Sequence, residues 1–203
     1  MLMCLPPSLI AQAPAAPATA QPDGNVLLDT VKFLAGGALG LGVHEGAHLV
    51  FDAAFDAHPY IERVQFGPFP FFAITHRGDL SPRREFTISS AGFWAQEATD
   101  EWLLTTRPQL RHERAWFTKG VLGFNVLNSV GYAMVAFAKA GPVERDTRGM
   151  ASSIGVDERV IGLVVLAPAV LDAYRFFRPE ARWAAWASRG VKAASVVLVI
   201  KSR

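Results

Sequence analysis

Residues 33–55 read FLAGGALGLGVHEGAHLVFDAAF, and their centre, His44-Glu45-Gly46-Ala47-His48, is an H-E-x-x-H motif set in apolar sequence. Residues four apart lie on one face of a helix, so both imidazoles can reach a single metal ion. The glutamate between them is placed to take a proton from a water activated by that ion. The apolar pattern continues back to residue 26 and predicts one helix over residues 26–55, long enough to cross a bilayer. At 100° per residue, His44, Glu45, His48, Asp52 and Asp56 fall within an arc of about 120°. Leu39, Leu41, Val43, Leu49, Val50 and Ala54 take up the remaining face. A polar stripe on an otherwise apolar helix belongs inside a bundle rather than against lipid. Gly36, Gly37, Gly40 and Gly42 are expected to let neighbouring helices approach closely.

Composition supports a membrane setting. The 203 residues suit one domain or one compact bundle. They are 51% hydrophobic and only 19% charged, with a mean hydropathy of +0.22, which is high for a soluble chain. A net charge of +2 without a basic block argues against nucleic acid as a partner. Cys4 is the lone cysteine, so any metal must be held by His, Asp or Glu. Residues 1–24 read as a signal-like segment or a disordered Ala/Pro tail: Ala11-Gln12-Ala13 fits a small-x-small cleavage pattern, but a positively charged start is missing. Residues 25–203 form the remaining, membrane-embedded domain.

Beyond the first helix, residues 61–75 are dense in aromatics and interrupted by Gly67-Pro68 and Pro70, which predicts short strands or an irregular hairpin along the membrane surface or over the site. Residues 86–95 predict a short apolar helix, too short to span alone, or the start of one ending near residue 104. Residues 116–137 and 160–177 are further spans, the first carrying Asn125 and Asn128, the second Asp172 and a kink at Pro168. Residues 183–200 are a weaker fourth, interrupted by Arg189 and Lys192. The predicted fold is mainly α: a polytopic transmembrane helical bundle of three to five spans, with a short β-like insert after the first core helix. Lys and Arg are spread evenly over the loops and fix no orientation. His58, His76 and His112 show no ligand spacing and are assigned to the surface.

The order of these motifs resembles the site-2-protease-like intramembrane metallopeptidases, the M50 class, over about residues 33–150. His44 to His48 matches that family's first motif, and the aromatic Gly-Pro stretch stands where the family has its strands. Ala91-Gly92-Phe93-Trp94-Ala95-Gln96 looks like its A-G-P-x-x-N element, with Phe93 for Pro and Gln96 for Asn. Asn125 or Asn128 matches the third-helix asparagine. Asp146 matches the metal-binding aspartate, although Thr147 follows where the family has Gly.

The resemblance implies a divergent member: an integral membrane protein of bacterial inner-membrane type, cleaving membrane protein or peptide substrates in or beside the bilayer with Zn2+. His44, His48 and Asp146 would hold the zinc, which in catalytic sites takes three protein ligands and keeps one position open. Glu45 would be the general base. Gln96, Asn125 and Asn128 would contact substrate or an oxyanion, or else be helix–helix hydrogen bonds. Asp52 would back a motif imidazole with a hydrogen bond, and both Asp52 and Asp172 are rivals of Asp146 as third ligand. Asp146 itself lies in a charged run, residues 144–148, that also reads as a solvated loop. Two other readings stand beside this one. One is a catalytically inactive membrane scaffold of the same fold. The other is a soluble zincin-type peptidase whose third ligand is a glutamate such as Glu97 or Glu101.

Overall fold

The computed structural model describes residues 25–66, 69–77 and 80–201. The N-terminal tail with Cys4 and its cleavage-like pattern, and the Gly67-Pro68 break, lie outside the described residues. The elements run α1 Val26–Phe55, β1 Pro59–Phe66, β2 Phe69–His76, α2 Pro82–Thr106, a 3-10 turn at Leu110–His112, α3 Trp116–Ala138, α4 Asp146–Ile154, α5 Glu158–Phe177 and α6 Arg182–Lys201. The protein is thus a helical bundle with one antiparallel hairpin after its first helix, paired from Pro59↔His76 to Phe66↔Phe69. Among the described residues, α1, α3 and α5 are long and apolar enough to cross a membrane.

Helix α1 starts where Asn25 accepts a hydrogen bond from the Leu28 amide and ends at Asp56 in the left-handed region. Its buried residues are Gly36, Gly40, His44, His48 and Asp52, one every four positions, so the polar stripe does face inward. Leu34 and Val50, at 64% and 65% exposure, point the other way. This is the inverse of a soluble amphipathic helix and places apolar side chains where lipid would lie.

The contact of α1 with α3 is backbone on backbone. A Cβ on Gly36 would stand 2.0 Å from the Phe117 carbonyl oxygen, and one on Gly120 would stand 2.0 Å from that of Phe33. The expectation of close packing does not extend to Gly42, which has nothing within 4 Å of such a Cβ. Gly36→Ala is therefore expected to destabilise by about 1–3 kcal/mol, because the obstructing atoms are main chain and cannot rotate away. Unfolding titrations in mixed micelles should show that loss, and should show none for Gly42→Ala.

Two boundaries differ from the sequence reading. Helix α2 begins at Pro82, not near residue 86, because Ser81 caps it and Pro82 occupies its first turn. It then runs 25 residues to Thr106, and a cluster of Phe86, Phe93, Met150, Ile161 and Val165 binds it to α4 and α5. The charged run at 144–148 is not simply a loop, since Asp146 opens α4. The residues flanking it are both anchored on the first residue of α5. Arg145 donates to Glu158 through Nε (2.6 Å) and Nη2 (2.5 Å), and Thr147 Oγ1 donates to Glu158 Oε1 at 2.7 Å. The charges that weakened α6 as a span are paired: buried Lys192 has Nζ 2.7 Å from Asp172, and exposed Arg189 has Nε 2.8 Å from Glu101.

Candidate metal centre

Three donor atoms converge where α1 meets α4. His44 Nε2 and His48 Nε2 are 3.2 Å apart, and Asp146 Oδ2 lies 3.2 Å from the first and 3.5 Å from the second. A zinc ion about 2.0–2.1 Å from each of three tetrahedrally arranged donors would space those donors by about 3.3 Å. The triangle therefore has the size of one face of a zinc coordination shell, and its two-nitrogen, one-oxygen chemistry suits such an ion. His44, His48 and Asp146 can hold a metal ion. Burial opposes the charge on Asp146, but His48 and His44 beside it hold its carboxyl well below the usual carboxylate range.

The ring orientations are set by α2 and α3. His48 Nδ1 lies 2.8 Å from the Ile88 carbonyl, so Nδ1 carries the proton and the Nε2 lone pair faces the triangle. His44 is wedged against α2 at Gly92, where a Cβ would stand 2.4 Å from its Cε1. Phe93 meets the His44 ring edge-on at 5.4 Å, and Tyr132 stacks on it at 6.0 Å. Tyr132 also stands within electrostatic reach of Asp146. Among the described residues His44 Nδ1 is buried without a hydrogen-bond partner, so on that side packing holds the ring.

The triangle lies between two cavities that share His48, Ile74, Glu144, Arg145 and Asp146 as walls. One, of about 580 Å³, is largely apolar, with Leu41, Val64, Phe124, Leu127 and Val135 around Glu45, Asn128 and Tyr132. The other, of about 270 Å³, is polar and reaches His76, Glu85, Ser89 and Arg148. Val64 and Ala73 bring the hairpin over the apolar side, in agreement with its expected position over the site. Glu45 stands within electrostatic reach of His44, His48 and Asp146.

The three amides are separated by their burial. Asn128 reaches the apolar cavity, whereas Gln96 and Asn125 are 1% and 2% exposed and do not. They form a ladder behind it: Asn128 donates to Gln96 (3.4 Å), Gln96 to Asn125 (3.3 Å) and Asn125 to Asp100 (2.7 Å). The rival third ligands are elsewhere. Asp172 is engaged by Lys192, Arg175 and Ser188, Glu97 accepts from Ser195, and Glu101 is held by Arg175 and Arg189. Asp52 does not back a motif imidazole; its partner is His76, with Nδ1 3.5 Å from Oδ1.

His76 is thus misplaced by the surface assignment. It bridges α1 and α2 from the last residue of β2, with Nε2 2.8 Å from Glu85 Oε2. No local spacing announces this contact, because its partners come from two other elements. The other residue missed is Tyr132, and here a signal existed: Asn125, Asn128 and Tyr132 follow helical spacing on one face of α3.

The hydrogen bond to Glu85 raises the His76 imidazole above its ordinary 6.5 despite burial, and His76 lowers Glu85 below 4.5. The His76 contribution is complete below 6.5 and is lost as pH rises through the raised value. That of Glu85 is present above 4.5 and is lost as pH falls through the lowered value. The clamp on the hairpin is therefore strongest between 4.5 and 6.5. The stability difference between wild type and His76→Gln, measured across pH, should peak in that window and shrink towards alkaline pH. A difference independent of pH would rule the clamp out.

No known family model, curated protein or solved structure matches this chain.

Proposed function

We propose that the protein is a zinc-dependent endopeptidase of the membrane, cleaving peptide bonds within or beside the bilayer. The observation that carries this reading is the convergence of His44, His48 and Asp146, with His48 and Asp146 in the common wall of an apolar and a polar cavity and Glu45 beside them. Bound there, zinc would supply Lewis-acid polarisation of a carbonyl and a nucleophile at neutral pH.

The chain's own groups account for the rest of the reaction. His48, its Nδ1 proton committed to Ile88, and His44, immobilised by Phe93, Tyr132 and Gly92, keep their Nε2 lone pairs directed at one point. Glu45 takes a proton from the attacking water and delivers it to the leaving amine. Asn128, anchored by Gln96, presents polar atoms to a peptide backbone lying in the apolar cavity. The apolar walls select hydrophobic side chains, and the polar cavity admits water and disperses protons.

The test is zinc content together with cleavage of a membrane-inserted model peptide by the purified protein and by Glu45→Gln. Stoichiometric zinc with no Glu45-dependent cleavage would favour the inactive scaffold instead. Release of the protein from membranes by carbonate, without detergent, would remove the bilayer from the reading.

A further inference from the structure

A third cavity lies where α2 and α5 end and α6 begins, at the end of α2 away from the Pro82 turn and the metal centre. It encloses about 280 Å³, and its walls include Leu104, Thr105, Ala185, Trp186 and three arginines, Arg175, Arg182 and Arg189. The three arginines are not equivalent. Arg175 is buried and engaged by Glu101 at 2.5 Å and Asp172 at 3.3 Å. Arg189 donates to Glu101 at 2.8 Å and to Thr105 at 3.2 Å. The Glu101 carboxylate is further approached by Lys192 at 3.4 Å, so its charge is already shared among three cations. Nearby Glu180 faces Arg178 at 3.7 Å. The Arg182 side chain makes no ion pair or hydrogen bond among the described residues, and it lines the cavity.

The surroundings identify the kind of anion. Arg182 is the first residue of the 20-residue helix α6, so the positive end of that helix dipole adds to its charge. Trp102, Phe177, Trp183 and Trp186 are all more than half exposed around the same end of the bundle. Exposed tryptophans beside arginines at the end of an apolar helix mark the headgroup level of a bilayer. Helix α5, one of the three long apolar helices, ends there at Phe177. A basic pocket between helices at that depth is the setting in which lipid phosphates are bound.

We propose that this cavity binds the phosphate of an anionic membrane phospholipid, with Arg182 as its principal cationic contact and the exposed aromatics flanking the acyl chains. The full-length protein in neutral detergent is titrated with short-chain phosphatidylglycerol, with short-chain phosphatidylcholine and with inorganic phosphate. Phosphatidylglycerol should bind in preference to the other two, and Arg182→Gln should weaken its binding by about fivefold. Arg182→Lys should retain most of it. Arg178→Gln removes the same charge outside the cavity walls and should leave binding unchanged. Arg182 is exposed, and circular dichroism should show each variant folded. Equal losses in Arg182→Gln and Arg178→Gln would mean a diffuse surface field and overturn the site. Equal binding of phosphatidylcholine, or inorganic phosphate competing as well as the lipid, would overturn the phospholipid as its ligand.

Discussion

Glu45→Gln is expected to reduce peptide-bond cleavage by a factor of about 10²–10⁴ while the protein keeps its zinc. The amide is nearly the same size as the carboxylate but cannot accept a proton, and Glu45 is not among the three converging donors. His44→Ala and His48→Ala should behave differently. Each removes a donor, and the metal should leave with it. Elemental analysis of the three purified variants, alongside turnover of a membrane-inserted peptide, separates the two roles. Equal zinc loss in all three would contradict the assignment of Glu45 as base rather than ligand.

Gly92→Ala should lower zinc affinity by about 10–100-fold, the range seen when the groups supporting a metal ligand are changed. The added methyl would stand 2.4–2.6 Å from three atoms of the His44 ring. That ring is also confined by Phe93 and Tyr132 on α2 and α3, so the strain is relieved by moving the ligand itself. Alanine improves helix propensity over glycine by about 1 kcal/mol, so affinity should fall even though the local helix gains. Gly46→Ala provides the control: it lies inside the motif, yet its added methyl meets nothing within 4 Å. Competition titration with a zinc chelator measures both. Unchanged affinity in Gly92→Ala would show that the ring is free to reorient.

How much of this was legible beforehand depended on the range of the interactions. The inward stripe of α1 follows from helical periodicity alone, and so does the distribution of long apolar helices. The hairpin could be read from its aromatics and helix breakers. The start of α2 was set too late, at residue 86, although the signal was local: Ser81 and Pro82 cap it through neighbouring residues alone. The placement of Asp146 beside the motif came from resemblance rather than from spacing, because 102 residues separate it from His44. The α4 helix was hidden because charged residues that look solvated are paired internally, Arg145 with Glu158 above all. His76 was hidden for the same reason. Its value lies in contacts with Asp52 and Glu85, both carboxylates whose own patterns suggest other roles.

The anchoring of Arg145 and Thr147 on Glu158 has a mechanical corollary. Asp146 has no freedom independent of α5: a shift of that helix along its axis would drag the carboxylate with it, while both imidazoles stayed on α1. Displacement by a single ångström would be enough to spoil a three-donor geometry whose edges span only 3.2–3.5 Å. Metal affinity at this triangle would thus gauge how α5 is seated against α1, and bilayer thickness or tension acting on α5 would have a direct lever on whether the three donors converge.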